Sequence, residues 1–177
     1  MAVAQLCVLK SNIMTNILIP TDFSPASVKL AEQALHAVNV NTVNIVFFHV
    51  FELPYSEFEL LNPSRPKPYS HLNLESFRQS CKQLKEQYPR SIQKISYQIL
   101  EGDSRPLFRN FLESNEIDMI FCPDHFVFKP VHKRSVNPTS LFKKSGIPVI
   151  GEPAATEVIF ERTRVLQPSM AMQPANS

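Results

Sequence analysis

Asp118-Met-Ile-Phe-Cys-Pro-Asp-His-Phe126 and Gly146-Ile-Pro-Val-Ile-Gly151 bracket the stretch that decides the fold. Residues 118–151 read as a buried strand, a long loop, a short helix and a second buried strand. In an α/β sheet, the loop after such a strand is where a phosphate rests on backbone amides, and glycines let that backbone come close. The loop at 123–137 contains no glycine. The scaffold suggests a nucleotide site, but the main chain that would cradle a phosphate is missing.

Upstream, the same alternation repeats. Asn16-Ile-Leu-Ile-Pro is a short apolar run ending in a Thr-Asp turn. Ser24-Pro25 then predicts a helix start, with serine as cap and proline where its missing N–H costs nothing. Val28, Ala31, Ala34, Leu35 and Val38 follow at helical spacing. Val43 to Val50 is a second buried strand. Pro54, Pro63, Pro66 and Pro68 make 51–70 irregular, a loop of lid character. Leu74, Phe77, Cys81, Leu84 and Tyr88 predict an amphipathic helix ended by Pro89. Ile95 to Leu100 is a third strand. Gly102-Asp103-Ser104 breaks it and caps a helix whose inward face is Leu107, Phe108, Phe111 and Leu112. Met119 to Cys122 is the fourth strand, Asn137-Pro138 opens the last helix, and Ile147 to Ile150 is the fifth strand.

The order βαβαβαβαβ predicts an α/β protein: a parallel sheet with right-handed crossovers and helices on both faces. Residues 15–152 form that domain, and 1–14 are an extension. After Pro153 the pattern fades. Thr156 to Leu166 could add an edge strand, and 167–177 reads as a loose tail. Met14 offers an alternative start, with 1–13 expected to be poorly ordered and no signal peptide read there.

Composition excludes several classes. In 177 residues, 3 glycines against 15 prolines disfavour an all-β fold of tight hairpins. A net charge of +2 creates no field that demands nucleic acid. Cys7, Cys81 and Cys122 are odd in number and lack CxxC spacing, as expected of reduced thiols. No apolar run approaches the roughly 20 residues of a membrane span.

Several stretches together resemble the universal stress protein family. They are Asn16-Ile-Leu-Ile-Pro-Thr-Asp-Phe-Ser24, the strand ending Phe48-His-Val50, Glu101-Gly-Asp103, Asp118-Met-Ile-Phe121 and Leu141-Phe-Lys-Lys-Ser-Gly-Ile-Pro-Val-Ile150. The resemblance implies a five-stranded parallel sheet in the order 3-2-1-4-5, Rossmann-like or flavodoxin-like. It implies homodimers, often through the last strand, roles in stress tolerance with little convincing catalysis, and ATP or AMP binding in many members. This chain departs at the nucleotide motif. Pro123 and Phe126 take the first two glycine positions, and Ser135-Val136 falls near the closing Gly-Ser pair. Asp22 matches the aspartate that contacts the nucleoside in binding members.

With that strand order, a ligand would sit beyond the carboxyl ends of the first and fourth strands. There Thr21, Asp22 and Phe23 face Asp124, His125 and the loop that carries Lys133, Arg134 and Ser135. The plainer role for Asp22 and Ser24 is to satisfy helix N-terminal amides. Lys129, His132, Lys133 and Arg134, with Lys143 and Lys144 beyond, are either a solvated basic face or side chains that hold an anion. Asp124 and His125 as an acid–base pair, and His49 as a ligand, lack a nucleophile or metal partner at recognisable spacing, so structural histidines are expected. Cys122 is expected to be buried and inert. Losing several amide contacts to phosphate, at roughly 1.5–3 kcal/mol each, would weaken ATP binding by orders of magnitude.

The expected function is therefore a non-enzymatic, cytoplasmic stress-response homodimer with a degenerate nucleotide site and no cofactor. It acts through a protein partner that the sequence does not name, without nucleic acid or membrane. The alternative is a small-ligand module that takes ATP, AMP or another anion through Asp22 and the basic 129–134 loop. A nucleotide hydrolase ranks last.

Overall fold

The structure is a computed structural model that describes residues 14–38, 42–54, 61, 64, 67, 69–70 and 72–151. The expectations for 1–13, for most of the 51–70 loop, and for 156–166 and 167–177 lie outside the described residues.

The elements run β1 (Thr15–Pro20), α1 (Pro25–Ala37), β2 (Val43–Phe51), α2 (Glu75–Gln87), β3 (Ile92–Glu101), α3 (Arg105–Ser114), β4 (Met119–Phe121), β5 (Ser135–Val136), α4 (Thr139–Phe142) and β6 (Val149–Ile150). The sheet order is β3-β2-β1-β4-β6, all parallel along that path. This is the expected 3-2-1-4-5 order, with β6 as the fifth parallel strand. One strand is additional: β5 pairs antiparallel with β2.

Side chains alternate across the sheet. Ile17, Ile19, Ile45 and Phe47 point to one face, where Ala31 and Ala34 of α1 and Phe77 and Leu84 of α2 cover them. Leu18, Val46, Phe48 and Val50 point to the other, under Phe108 and Leu112 of α3 and Leu141 and Phe142 of α4. Burial on both faces is why β1 and β2 read as nearly continuous apolar runs.

The local signals work as read. Ser24 Oγ accepts from Ser27 N at 3.2 Å, with Pro25 in the first turn. Gly102 sits at φ +116 between β3 and α3, and a Cβ there would meet Leu107 Cδ2 at 2.8 Å. Only glycine fits that turn. Three elements are shorter than expected. β4 stops at Phe121 rather than Cys122, although Cys122 N still donates to Ile150 O at 2.9 Å. α4 has four residues, its entry tied by Asn137 Oδ1 accepting from Thr139 N and Oγ1. The last strand is Val149–Ile150 rather than 147–150, although Pro148 O still accepts from Ile120 N at 2.9 Å.

The reason for β5 lies in strand length. β3 flanks β2 along its whole length on one side. On the other side β1 ends at Pro20, opposite Phe48. The remaining edge of β2 needs partners, and β5 supplies them: Val50 pairs with Val136 and Phe51 with Ser135.

Candidate functional site

The exit of β1 is a tight reversal. Thr21 N continues the ladder to Phe48 O at 3.0 Å. Thr21 Oγ1 then accepts from Phe23 N at 2.9 Å and shares a 2.7 Å hydrogen bond with Ser27 Oγ inside α1. Asp22 Oδ1 accepts from both Ser24 N (3.0 Å) and Ser24 Oγ (2.6 Å). Its carboxylate fixes the turn that launches α1, the plainer of the two roles read from the sequence. Phe23 takes φ 57, a left-handed conformation uncommon for a bulky residue. That rotation turns its ring inward, edge-on to Phe77 at 5.6 Å and Tyr97 at 6.1 Å.

The loop after β4 crosses in front of this turn. Pro123 is buried and its carbonyl accepts from Phe126 N at 2.9 Å. Phe126 packs on the α3–α4 side of the core, and Phe128 stacks on the His49 ring at 6.0 Å. The chain then enters β5, in line with β1 and beyond its end. There it takes the place beside β2 that β1 leaves empty past Pro20.

His49, 1% exposed, ties these pieces together. Its Nδ1 lies 2.6 Å from Thr21 O, and a carbonyl can only accept, so Nδ1 carries the proton. Nε2 is then the acceptor for the Ser135 hydroxyl at 3.0 Å. Ser135 Oγ in turn accepts from His132 N at 3.1 Å. Burial lowers the His49 pKa below its ordinary 6.5, against smaller upward pulls from the Thr21 carbonyl and the Asp22 charge. The ring is a neutral cross-link between β1, β2 and β5.

One cavity of about 230 Å³ remains at the crevice, lined by Asp22 and Leu30 on one side and by His125, Phe126, Phe128 and Lys129 on the other. Of the sequence candidates, the structure brings Asp22, Ser24, His125 and Lys129 together here. Thr21 and Phe23 are buried and do not line the cavity. Asp124 is exposed beside Gly151. Ser135 is bound to His49. Lys133 is exposed, and Arg134 is held by its backbone, its carbonyl accepting from Glu52 N at 2.8 Å. Neither lines the cavity. Phe128 belongs to the 126–136 loop expected at the crevice, whereas nothing in the local pattern marks Leu30.

The chemistry is sparse. Among the described residues no three His, Cys, Asp or Glu side chains converge as metal ligands. Burial pushes the Cys81 thiol up to about 11. Burial, then the Asp124 charge, do the same for Cys122, also to about 11. Both are protonated at neutral pH and poor nucleophiles. No helix among the described residues is long and apolar enough to cross a membrane.

A doubly covered parallel sheet in this strand order defines an α/β domain of the Rossmann-like type. The family model described as "Universal stress protein family" matches residues 14–125, and the chain belongs to that family. Similar solved structures include a hypothetical protein MJ0577, at 18% identity and TM-score 0.47 over 78% of this chain and 94% of that one. A universal stress family protein from Burkholderia pseudomallei aligns at 14% identity and TM-score 0.42, over 79% and 96%. A universal stress protein in complex with cAMP aligns at 14% identity and TM-score 0.41, over 77% and 94%. No curated protein matches the chain.

Proposed function

We propose that this protein acts in stress response as a non-enzymatic homodimer in the cytoplasm, with a degenerate nucleotide site, and works through a protein partner rather than a bound cofactor. The observation that carries this reading is β5, which follows on beyond the carboxyl end of β1 and pairs with Val50 and Phe51. The space left, about 230 Å³, falls below the roughly 300–1,000 Å³ of ligand pockets. Pro123 offers no N–H to a phosphate.

Thermal-shift titration with ATP and AMP, with and without Mg²⁺, tests it. The expected result is no saturable stabilisation at micromolar nucleotide. A clear shift that disappears in Asp22→Ala would reject the closed crevice. It would favour the second reading, a small-ligand module that takes ATP, AMP or another anion. That reading has its own support, because Asp22, His125 and Lys129 share the remaining cavity.

The dimer rests on β6. This two-residue strand pairs with β4 on one side, and among the described residues its other side is the end of the sheet path. Val149 is 44% exposed there, and an apolar edge invites pairing with a second copy. Light scattering is expected to give the mass of two chains, and Val149→Lys to shift it towards one. A single-chain mass for the unmodified protein would remove the dimer from the proposal.

A further inference from the structure

On the sheet face away from α1 and α2, three cations surround one small hole. Arg105 and Arg109 lie one turn apart on α3, and Lys144 follows α4. Together with Phe108, Leu141 and Ser145 they line a cavity of about 10 Å³, room for one oxygen-sized atom. Phe108 and Leu141 are buried and give it a rigid apolar floor. Ser145 Oγ accepts from Ile147 N at 3.1 Å and fixes the turn that carries Lys144.

No ion pair among the described residues includes Arg105, Arg109 or Lys144. Glu113, one turn further along α3, lines the adjoining cavity with Arg109 without pairing to it. Like charges four residues apart on a helix repel, and Lys144 adds a third charge at the same rim. An anion with several oxygens would relieve that repulsion.

We infer that Arg105, Arg109 and Lys144 form a binding site for a phosphomonoester. Guanidinium forks match phosphoryl oxygens in pairs, and a phosphomonoester carries close to two negative charges at neutral pH. One oxygen enters the hole, the others meet the forks at the surface, and the carrier stays in solvent. The site shares no residue with the β1–β4 crevice, so it stands or falls apart from the proposed function.

Calorimetric titration with inorganic phosphate, a sugar phosphate and a phosphoserine peptide tests it, against sodium chloride of matched ionic strength. Saturable binding is expected, weakened about 10-fold to 100-fold in Arg105→Ala and Arg109→Ala. Lys133→Ala and Arg134→Ala are expected to bind as the unmodified protein does. The tighter of the sugar phosphate and the peptide identifies the carrier. Should an alanine variant unfold early, Arg109→Lys keeps the charge without the fork and is expected to weaken binding as well. Heats that follow ionic strength alone overturn the site. So does undiminished phosphate binding in both arginine variants. Loss of binding only in the Lys133 and Arg134 variants overturns it too, and moves the anion to the crevice loop.

Discussion

Phe23→Ala is expected to destabilise the protein by about 3–5 kcal/mol, the usual cost of deleting a buried phenyl ring. The ring is 5% exposed and contacts Phe77, Tyr97 and His49, drawn from α2, β3 and β2. The sharper test compares two truncations. In an ordinary core position glycine is worse than alanine, because it loses more backbone freedom on folding. At φ 57 the order reverses. Alanine keeps the left-handed strain, of about 1–2 kcal/mol, and glycine does not. Urea unfolding should therefore place the Phe23→Gly midpoint above that of Phe23→Ala. The opposite order would mean that the backbone at 23 is not left-handed.

The functional consequence follows from the same turn. A right-handed or extended residue at 23 would swing Asp22 away from Ser24 and its carboxylate out of the two bonds that launch α1. The phenyl ring therefore anchors Asp22, the one acid among the described residues that line the cavity.

The turn also marks how far the residues could be read. Parallel strands and covering helices were legible because burial on both faces writes long apolar runs, and because Ser24-Pro25 and Gly102 punctuate them. The left-handed Phe23 was not legible. Nothing in Thr-Asp-Phe-Ser says that a non-glycine residue takes positive φ, so Thr21 and Phe23 read as crevice residues when both turn into the core. β5 was hidden for a different reason. Two residues carry no alternation, and their pairing depends on β2 outrunning β1, which no local window contains. The His49–Ser135 bond spans 86 residues. The glycine-free loop was legible as an absence, and its path beyond the end of β1 gives that absence a shape.

His49 is where that path is fastened, and replacing it should loosen the hold of β5 on the turn after β1. His49→Phe keeps a ring of similar size but leaves the Thr21 carbonyl and the Ser135 hydroxyl without their partner. Each buried group left unpaired costs about 1–3 kcal/mol, and Ser135 keeps its bond from His132 N, so its share sits at the low end. A pH series then isolates the histidine itself. Burial holds the native pKa below the 6.5 of the unfolded chain. Between those two values the unfolded state binds more protons than the native one, so stability rises with pH. The contribution of His49 is complete above 6.5 and is lost as pH falls through the lowered native pKa. His49→Gln cannot titrate and should remove that part of the slope, so wild type and variant converge as the solution becomes more acid. Urea midpoints measured across the series give the answer. Parallel curves would show that the ring is not held neutral between Thr21 and Ser135, and the fastening of β5 to the end of β1 would have to be sought elsewhere.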